Sequence, residues 1–386
     1  MATVFGIATH GSQVGSVSTL YQGDDFVKTL WSLASVCALL FFVMVVPASA
    51  TAPEYATAVL LGERAAKEAG GMLGQDLQTG RVIVLTNAGY ARPSGRSTLG
   101  CLDGLTQATS ASVGGSTLIA LQARNDSPLW FAFFSPQTGE CVYLQAEGNV
   151  YPDTADTPAW AVRQQARIDA DHIFEHPEEF TARGKKGLFG PNLFRIVTVA
   201  NAAARNCPDH VLQAMRVHDH FCPGITSGVL IAEYISRQML TGQDQKLFVL
   251  SLVPWCKEDA LTTLLNATPG KGGYAVVYGD RKEAGNWPAP LNRTCTVAFT
   301  LDEEGIWTGR LLGFDFDAAR KRYEDRVFGY PVLDKLYADL WFLDHLDEPE
   351  SFVEELGQVA LPKGTSPKDL VRPDSALLKR LVPMEK

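Results

Sequence analysis

The sequence predicts an α+β fold made of two related units, each a helix packed on a mixed sheet. Residues 81–85 and 246–250 are short aliphatic runs of strand type, and each follows a stretch of helical spacing, 58–63 and 228–233. Each strand precedes a segment pairing Cys with Asp, Cys101 with Asp103 and Cys256 with Asp259. Glycine-bearing loops at 112–116 and 268–272 come next, and nearly equal intervals then lead from Cys101 to Cys141 and from Cys256 to Cys295. Features recurring in one order are the signature of an internal repeat.

The elements divide the chain into five parts, beginning with an export signal at 1–50. Residues 31–46 are almost wholly apolar and are followed by Pro47 and Ala48-Ser49-Ala50, the pattern of a secretory signal peptide with cleavage after Ala50. The run is shorter than the ~20 residues of a membrane helix, and a retained anchor is the alternative reading. Asp24 and Asp25 are unusual before such a run, whereas a chain starting at Val27 reads Val-Lys-Thr-Leu-Trp, an ordinary signal-peptide start, so initiation is expected at Val27. Cys37 has no lipobox order around it. The processed chain is expected in a bacterial periplasm or outside the cell, with no integral membrane span. Its composition, 46% hydrophobic and 20% charged, is that of a globular protein, and a net charge of −9 argues against a nucleic-acid partner.

The first unit is expected at 51–150 and a connector at 151–204. Within the connector, 159–174 reads as a helix, with His172 and His176 at i,i+4 spacing among Asp169, Asp171 and Glu175. That spacing can chelate a metal, although an exposed acidic helix ending at Pro177 explains it more simply. Residues 183–192 read as a Gly/Lys loop and 209–217 as a helix. The second unit occupies 205–312, and 313–386 is a helical extension. In it 318–328 and 332–345 show spacing near 3.6, with Tyr337, Trp341 and Phe342 on a core-covering face. Beyond Pro362 the chain is rich in Pro, Lys and Asp and is expected to wrap the surface.

The chemistry concentrates at 217–224, Val-His-Asp-His-Phe-Cys-Pro-Gly. His218, His220 and Cys222 offer imidazole and thiolate, the ligands preferred by zinc and similar metals. Pro223 and Gly224 interrupt regular structure, so that Thr226 or Ser227 is expected to cap the following helix. A thiolate there feels the positive end of the helix dipole. Cys256, where a strand gives way to a helix, is the fourth ligand candidate. Asp219 and Asp259 are placed to orient an imidazole or hold a water. Gly270, Lys271 and Gly272 form a loop suited to an anionic cofactor, or Lys271 is simply solvated.

Together these segments resemble the FmdE family, which takes its name from formylmethanofuran dehydrogenase and whose members pair His-Gly-His-x-Cys-Pro-Gly with a later Cys-x-x-Asp-Ala and a Gly-Lys-Gly loop. The resemblance covers about 205–310. Asp219 stands where the family usually has Gly, Gly273-Tyr274 where an Asn is usual, and no cysteine-rich tail follows Cys295. It implies a transition metal, zinc in first place, held by His218, His220, Cys222 and Cys256 beside a small-molecule or cofactor pocket. The first unit, with Ala52-Pro53-Glu54 and Gly115 in place of Cys222-Pro223-Gly224 and Lys271, keeps the scaffold without the ligands. The family also implies a homodimer, unless the repeat supplies that pairing within one chain. It does not make the chain a formylmethanofuran dehydrogenase, whose catalytic subunits carry iron–sulfur clusters that need cysteine motifs absent here.

Two functions compete: a metal-binding protein with a ligand or cofactor role, and a metal-dependent enzyme, hydrolytic or redox, in which Asp219 or Lys271 moves a proton. Haem or tetrapyrrole binding is a lesser third. In an oxidising compartment the matched cysteines suggest disulfides Cys101–Cys141 and Cys256–Cys295. The family setting of Cys256 favours a ligand role for it instead, and Cys207 is unassigned.

Overall fold

The computed structural model describes residues 53–148, 160–240, 242, 245–323 and 326–372. The signal-peptide features, Val27 and Ala50 included, lie outside the described residues, as does 373–386. Among the described residues no helix is long and apolar enough to cross a membrane.

Two mixed five-stranded sheets organise the chain. The first contains β1 (Ile83–Thr86), β2 (Leu118–Ala120), β3 (Trp130–Phe134), β4 (Glu140–Gln145) and β5 (Val162–Arg167), in the order β2-β1-β3-β4-β5. The second contains β6 (Leu247–Leu252), β7 (Tyr274–Val277), β8 (Thr296–Leu301), β9 (Trp307–Phe314) and β10 (Val353–Ala360), in the order β10-β9-β8-β6-β7. Only β1–β2 and β6–β7 are parallel; the other pairs are antiparallel. Strand for strand, the two sheets have the same order and directions.

A parallel pair needs a crossover. Helix α2 (Gly100–Ala108) makes it between β1 and β2, packed on α1 (Pro53–Leu73). In the second sheet, α7 (Pro223–Gln238) and α8 (Lys257–Leu264) take these places. In both pairs the helices approach so closely that only glycine fits: a Cβ at Gly62 would strike the carbonyl oxygen of Cys101, and one at Gly228 the carbonyl oxygen of Lys257. These contacts set the register. Cys101 matches Lys257, and Gly100 matches Cys256, one residue off the sequence alignment.

Between these layers lie α3 (Ala170–Glu175), α4 (Pro177–Lys185), α5 (Leu193–Ala204) and α6 (Asp209–His218). Helix α5 is apolar around most of its girth, the mark of a helix buried on all sides. One continuous core runs from Ile83 and Leu85 of the first sheet through Ile196, Val199 and Ala200 of α5 to Val249 and Ala298 of the second. Asn201 ties the end of β5 to α5, donating to Ile168 O at 2.9 Å and accepting from Ala170 N at 2.7 Å. Among the described residues, three further helices follow β7: α9 (Arg281–Gly285), α10 (Phe316–Arg322) and α11 (Pro331–Leu343).

Several sequence expectations are corrected. Residues 162–167, read as helix, form β5, because the open edge of β4 supplies backbone partners along their whole length. The extension after 313 is not wholly helical: it contributes β10, paired to β9 with a shift between Glu355 and Gly357. Residues 183–185, read as loop, close α4. Cys141 lies on β4 but Cys295 precedes β8, whose counterpart is β3, so these cysteines are not equivalent. Neither suggested disulfide forms, and all six described cysteines are free. Cys101 faces the α1–α2 layer while Cys141 faces the opposite side of its sheet, and that separation forbids a bridge.

Candidate metal centre

Two helix starts and one helix end meet at a single point. His218 closes α6, and Asp219 reverses the chain with φ 69°, a left-handed conformation favoured by glycine. His220 and Phe221 follow, and the Phe221 amide donates to Thr198 Oγ1 of α5 at 3.2 Å, which pins the loop to the core. Cys222, extended at φ −158°, is the N-cap of α7, and Pro223 is its first helical residue. The helix therefore begins one turn earlier than expected. Thr226 and Ser227 lie inside it and donate to Cys222 O and Gly224 O. Cys256 is the N-cap of α8. Both thiols thus sit at helix N-termini, where the dipole favours thiolate. A side chain at Gly224 would stand 2.8 Å from Cys256 Cβ, so the glycine lets the two starts touch.

His218, His220, Cys222 and Cys256 bring one ligand atom each to within 4.8 Å of all the others. A tetrahedral zinc site with arms of about 2.0–2.3 Å holds its donors roughly 3.3–3.8 Å apart. Cys222 Sγ already lies 3.8 Å from His218 Nε2. Small side-chain movements would close the rest.

Each imidazole is held from behind. His218 Nδ1 meets Asp259 Oδ2 at 2.7 Å, and His220 Nδ1 meets Asp219 Oδ1 at 2.8 Å. In both rings the other nitrogen is left for a metal, the arrangement in which a carboxylate sets tautomer and orientation. Arg195 of α5 donates to the second oxygen of Asp219 at 2.8 Å. The sequence reading missed Arg195; no local pattern marks it, because α5 itself went unread. Asp259→Asn is expected to weaken metal affinity about 10–100-fold, measured by competition with a chromogenic chelator; unchanged affinity would deny Asp259 its role behind the ring.

The electrostatics are those of a site prepared for a cation. The Cys256 thiol is held far below its usual range by hydrogen bonding from Cys222, then from His218 and His220. Cys222 is raised, first by that same hydrogen bond to Cys256 and then by burial. Burial alone would lower His218, but Asp259 and the Cys256 thiolate carry it up to about 9. Burial likewise opposes ionisation of Asp219, yet His220 and Arg195 hold it below the ordinary carboxylate value.

Beneath the site, the buried Lys257 ammonium reaches Ser251 Oγ at 2.8 Å, pairs with Glu258 and lies 3.8 Å from the Trp255 ring centroid. The Trp255 indole donates to Ser227 Oγ at 3.0 Å, linking this network to α7. Beside the thiols opens a cavity of about 430 Å³, reaching from Cys222, Gly224 and Cys256 to α10 and α11.

The other candidates are not brought to this point. Gly270, Lys271 and Gly272 lie in the turn Pro269–Lys271 and its cap, before β7. Because β6 and β7 are parallel, that turn stands at the end of the sheet opposite Cys256. Lys271 is exposed and donates to Asn266. The His172 and His176 rings lie tilted with centroids 4.7 Å apart, His176 standing between α3 and α4; among the described residues they join no group of potential metal ligands.

Residues 217–289 match the family FmdE, described as "FmdE, Molybdenum formylmethanofuran dehydrogenase operon". This segment is FmdE-like. No curated protein matches the chain. The FmdE-like segment spans all four converging residues and both carboxylates, and stops before β8. Helices α10 and α11, which wall the cavity, lie beyond it. The glycine usual in the family at position 219 suits its left-handed backbone; Asp219 tolerates it and adds the carboxylate that His220 uses.

Proposed function

We propose that the protein binds a transition metal, zinc before others, through His218, His220, Cys222 and Cys256, with the adjoining cavity admitting a small molecule. The observation that carries this reading is the pairing of each imidazole with its own carboxylate, which leaves the other ring nitrogen for the ion. Two imidazoles and two thiolates suit zinc in particular. A bound zinc ion would supply Lewis acidity. Asp219 and Asp259 fix the rings, Arg195 steadies Asp219, and Pro223-Gly224 keeps the two helix starts together. The cavity at Cys222 and Cys256 favours a ligand-handling protein over a purely structural site, and it keeps a metal-dependent enzyme as the second reading.

Metal uptake should release protons, and the direction is set by the metal-free site. His218, raised to about 9, holds its proton at neutral pH, as does the raised Cys222, whereas Cys256 is already ionised. Adding zinc to metal-free protein at pH 7 is therefore expected to release about two protons per ion, with affinity rising as pH increases towards 9. A pH-indicator titration measures this, and elemental analysis of the purified protein tests occupancy. Release of no protons, or protein that takes up no zinc, would refute the reading.

A further inference from the structure

We propose that the cavity beside Cys222 and Cys256 binds a planar organic anion of about bicyclic size, with its negative group held by Arg326 and Lys335 and its body against aromatic rings. This rests on the metal reading above and adds a ligand class to it. The walls come from two sources. Cys222, Gly224, Trp255 and Cys256 belong to the FmdE-like segment, whereas Phe316, Arg320, Tyr323, Arg326, Lys335 and Phe342 belong to the C-terminal helices and the turn between them. The volume of about 430 Å³ lies within the ordinary range for small-molecule sites.

Charge selects the ligand's sign. Among the described residues, Arg320, Arg326 and Lys335 line the cavity together with one carboxylate, Asp334, which accepts from Phe328 N at 2.6 Å. Arg320 is offset by Asp317 at 2.9 Å, leaving Arg326 and Lys335 as the effective cations. Arg326 is positioned by Phe174 O at 3.0 Å and by the Phe328 ring, its guanidinium carbon 4.7 Å from the centroid; Lys335 lies 5.3 Å from the Phe194 centroid. Two thiolates and two neutral imidazoles balance a divalent ion and Arg195 offsets Asp219, so the loaded site keeps one negative charge, on Asp259 behind the His218 ring.

Shape selects the rest. Trp255, Phe316 and Tyr323 present ring surface, and the Trp255–Phe316 and Phe314–Phe316 contacts, at 6.2 and 4.7 Å, hold that wall in place. An arginine and a lysine lining an aromatic cleft suit a carboxylate on a flat ring system.

The test is calorimetric titration of the zinc-loaded full chain with 2-naphthoate and with its neutral isostere 2-naphthamide. The carboxylate is expected to bind at least ~10-fold more tightly than the amide, and Arg326→Gln and Lys335→Met each to weaken it by about tenfold. Both changes are on exposed side chains and should leave zinc content unaltered. Equal binding of acid and amide, indifference to both substitutions, or no naphthoate binding by fully zinc-loaded protein would overturn the proposal while leaving the metal reading intact. Protein that takes up no zinc would overturn the metal reading, and with it this one.

Discussion

Cys222→Ser and Cys256→Ser should each lower bound zinc from about one ion per chain to nearly none, while Cys101→Ser leaves it unchanged. The contrast follows from position. Cys222 and Cys256 are helix N-caps within reach of both imidazoles, whereas Cys101 is buried in the α1–α2 layer, where burial pushes its thiol up to about 12. Serine is nearly isosteric with cysteine and is a preferred N-cap, so both substitutions should leave α7 and α8 folded. What disappears is the soft donor, and structural zinc sites owe about 10–16 kcal/mol of apparent binding energy to a complete ligand set. Elemental analysis together with circular dichroism separates loss of metal from loss of fold. Full zinc content in a folded Cys222→Ser protein would end the four-ligand reading.

A large loss of stability is expected of Gly228→Val. A Cβ at Gly228 would stand 2.5 Å from Lys257 O and 2.8 Å from Ala260 Cβ, and the obstacle is largely backbone, which cannot rotate aside. Overpacking of this kind costs about 1–3 kcal/mol, and the absence of a flexible neighbour places this case at the upper end. At roughly 2–4 °C per kcal/mol for a large domain, the melting temperature should fall by about 6–12 °C. Zinc content should fall with it, because separating α7 from α8 draws Cys256 away from Cys222. Gly71→Ala is the control: it lies on α1 with nothing within 4 Å, and alanine is the better helix former by about 1 kcal/mol. If Gly228→Val melted like the parent protein, the close approach of α7 and α8 would not govern packing in this unit.

The convergent His/Cys group was legible because it is local. Three donors fall within five residues around a Pro-Gly break, and the fourth follows a clear strand. The two carboxylates were legible for the same reason, being next to a ligand or one turn from it. Arg195 was not, since its meeting with Asp219 depends on how α5 threads between the layers. The edge strands hid for another reason. Val162–Arg167 is mostly polar and reads Val-Arg-Gln-Gln-Ala-Arg; only the open edge of β4, earlier in the chain, makes it a strand. The distance of Lys271 from the His/Cys group was not legible, because a Gly-Lys-Gly loop looks alike at either end of a sheet, and the parallel pairing of β6 and β7 sends it to the far end. The spacing of Cys141 and Cys295 misled because equal intervals of chain can cross different numbers of strands.

The match of Gly100 with Cys256 has a meaning for how such sites arise. In the first unit α1 runs on past the level where α7 begins, and the backbone of Tyr55 and the side chain of Ala58 fill the space against Gly100. In the second unit the helix starts later, at Pro223, and the vacated space admits a cysteine side chain. One turn of helix therefore works as a plug, present in one unit and withdrawn in the other. Grafting histidines and cysteines onto the first unit one by one would not create a centre, because the plug would still occupy it. Because Ala58 stands level with Gly224 in the register set by Gly62 and Gly228, a metal site in this architecture needs both a later helix start and a glycine in the first turn of that helix.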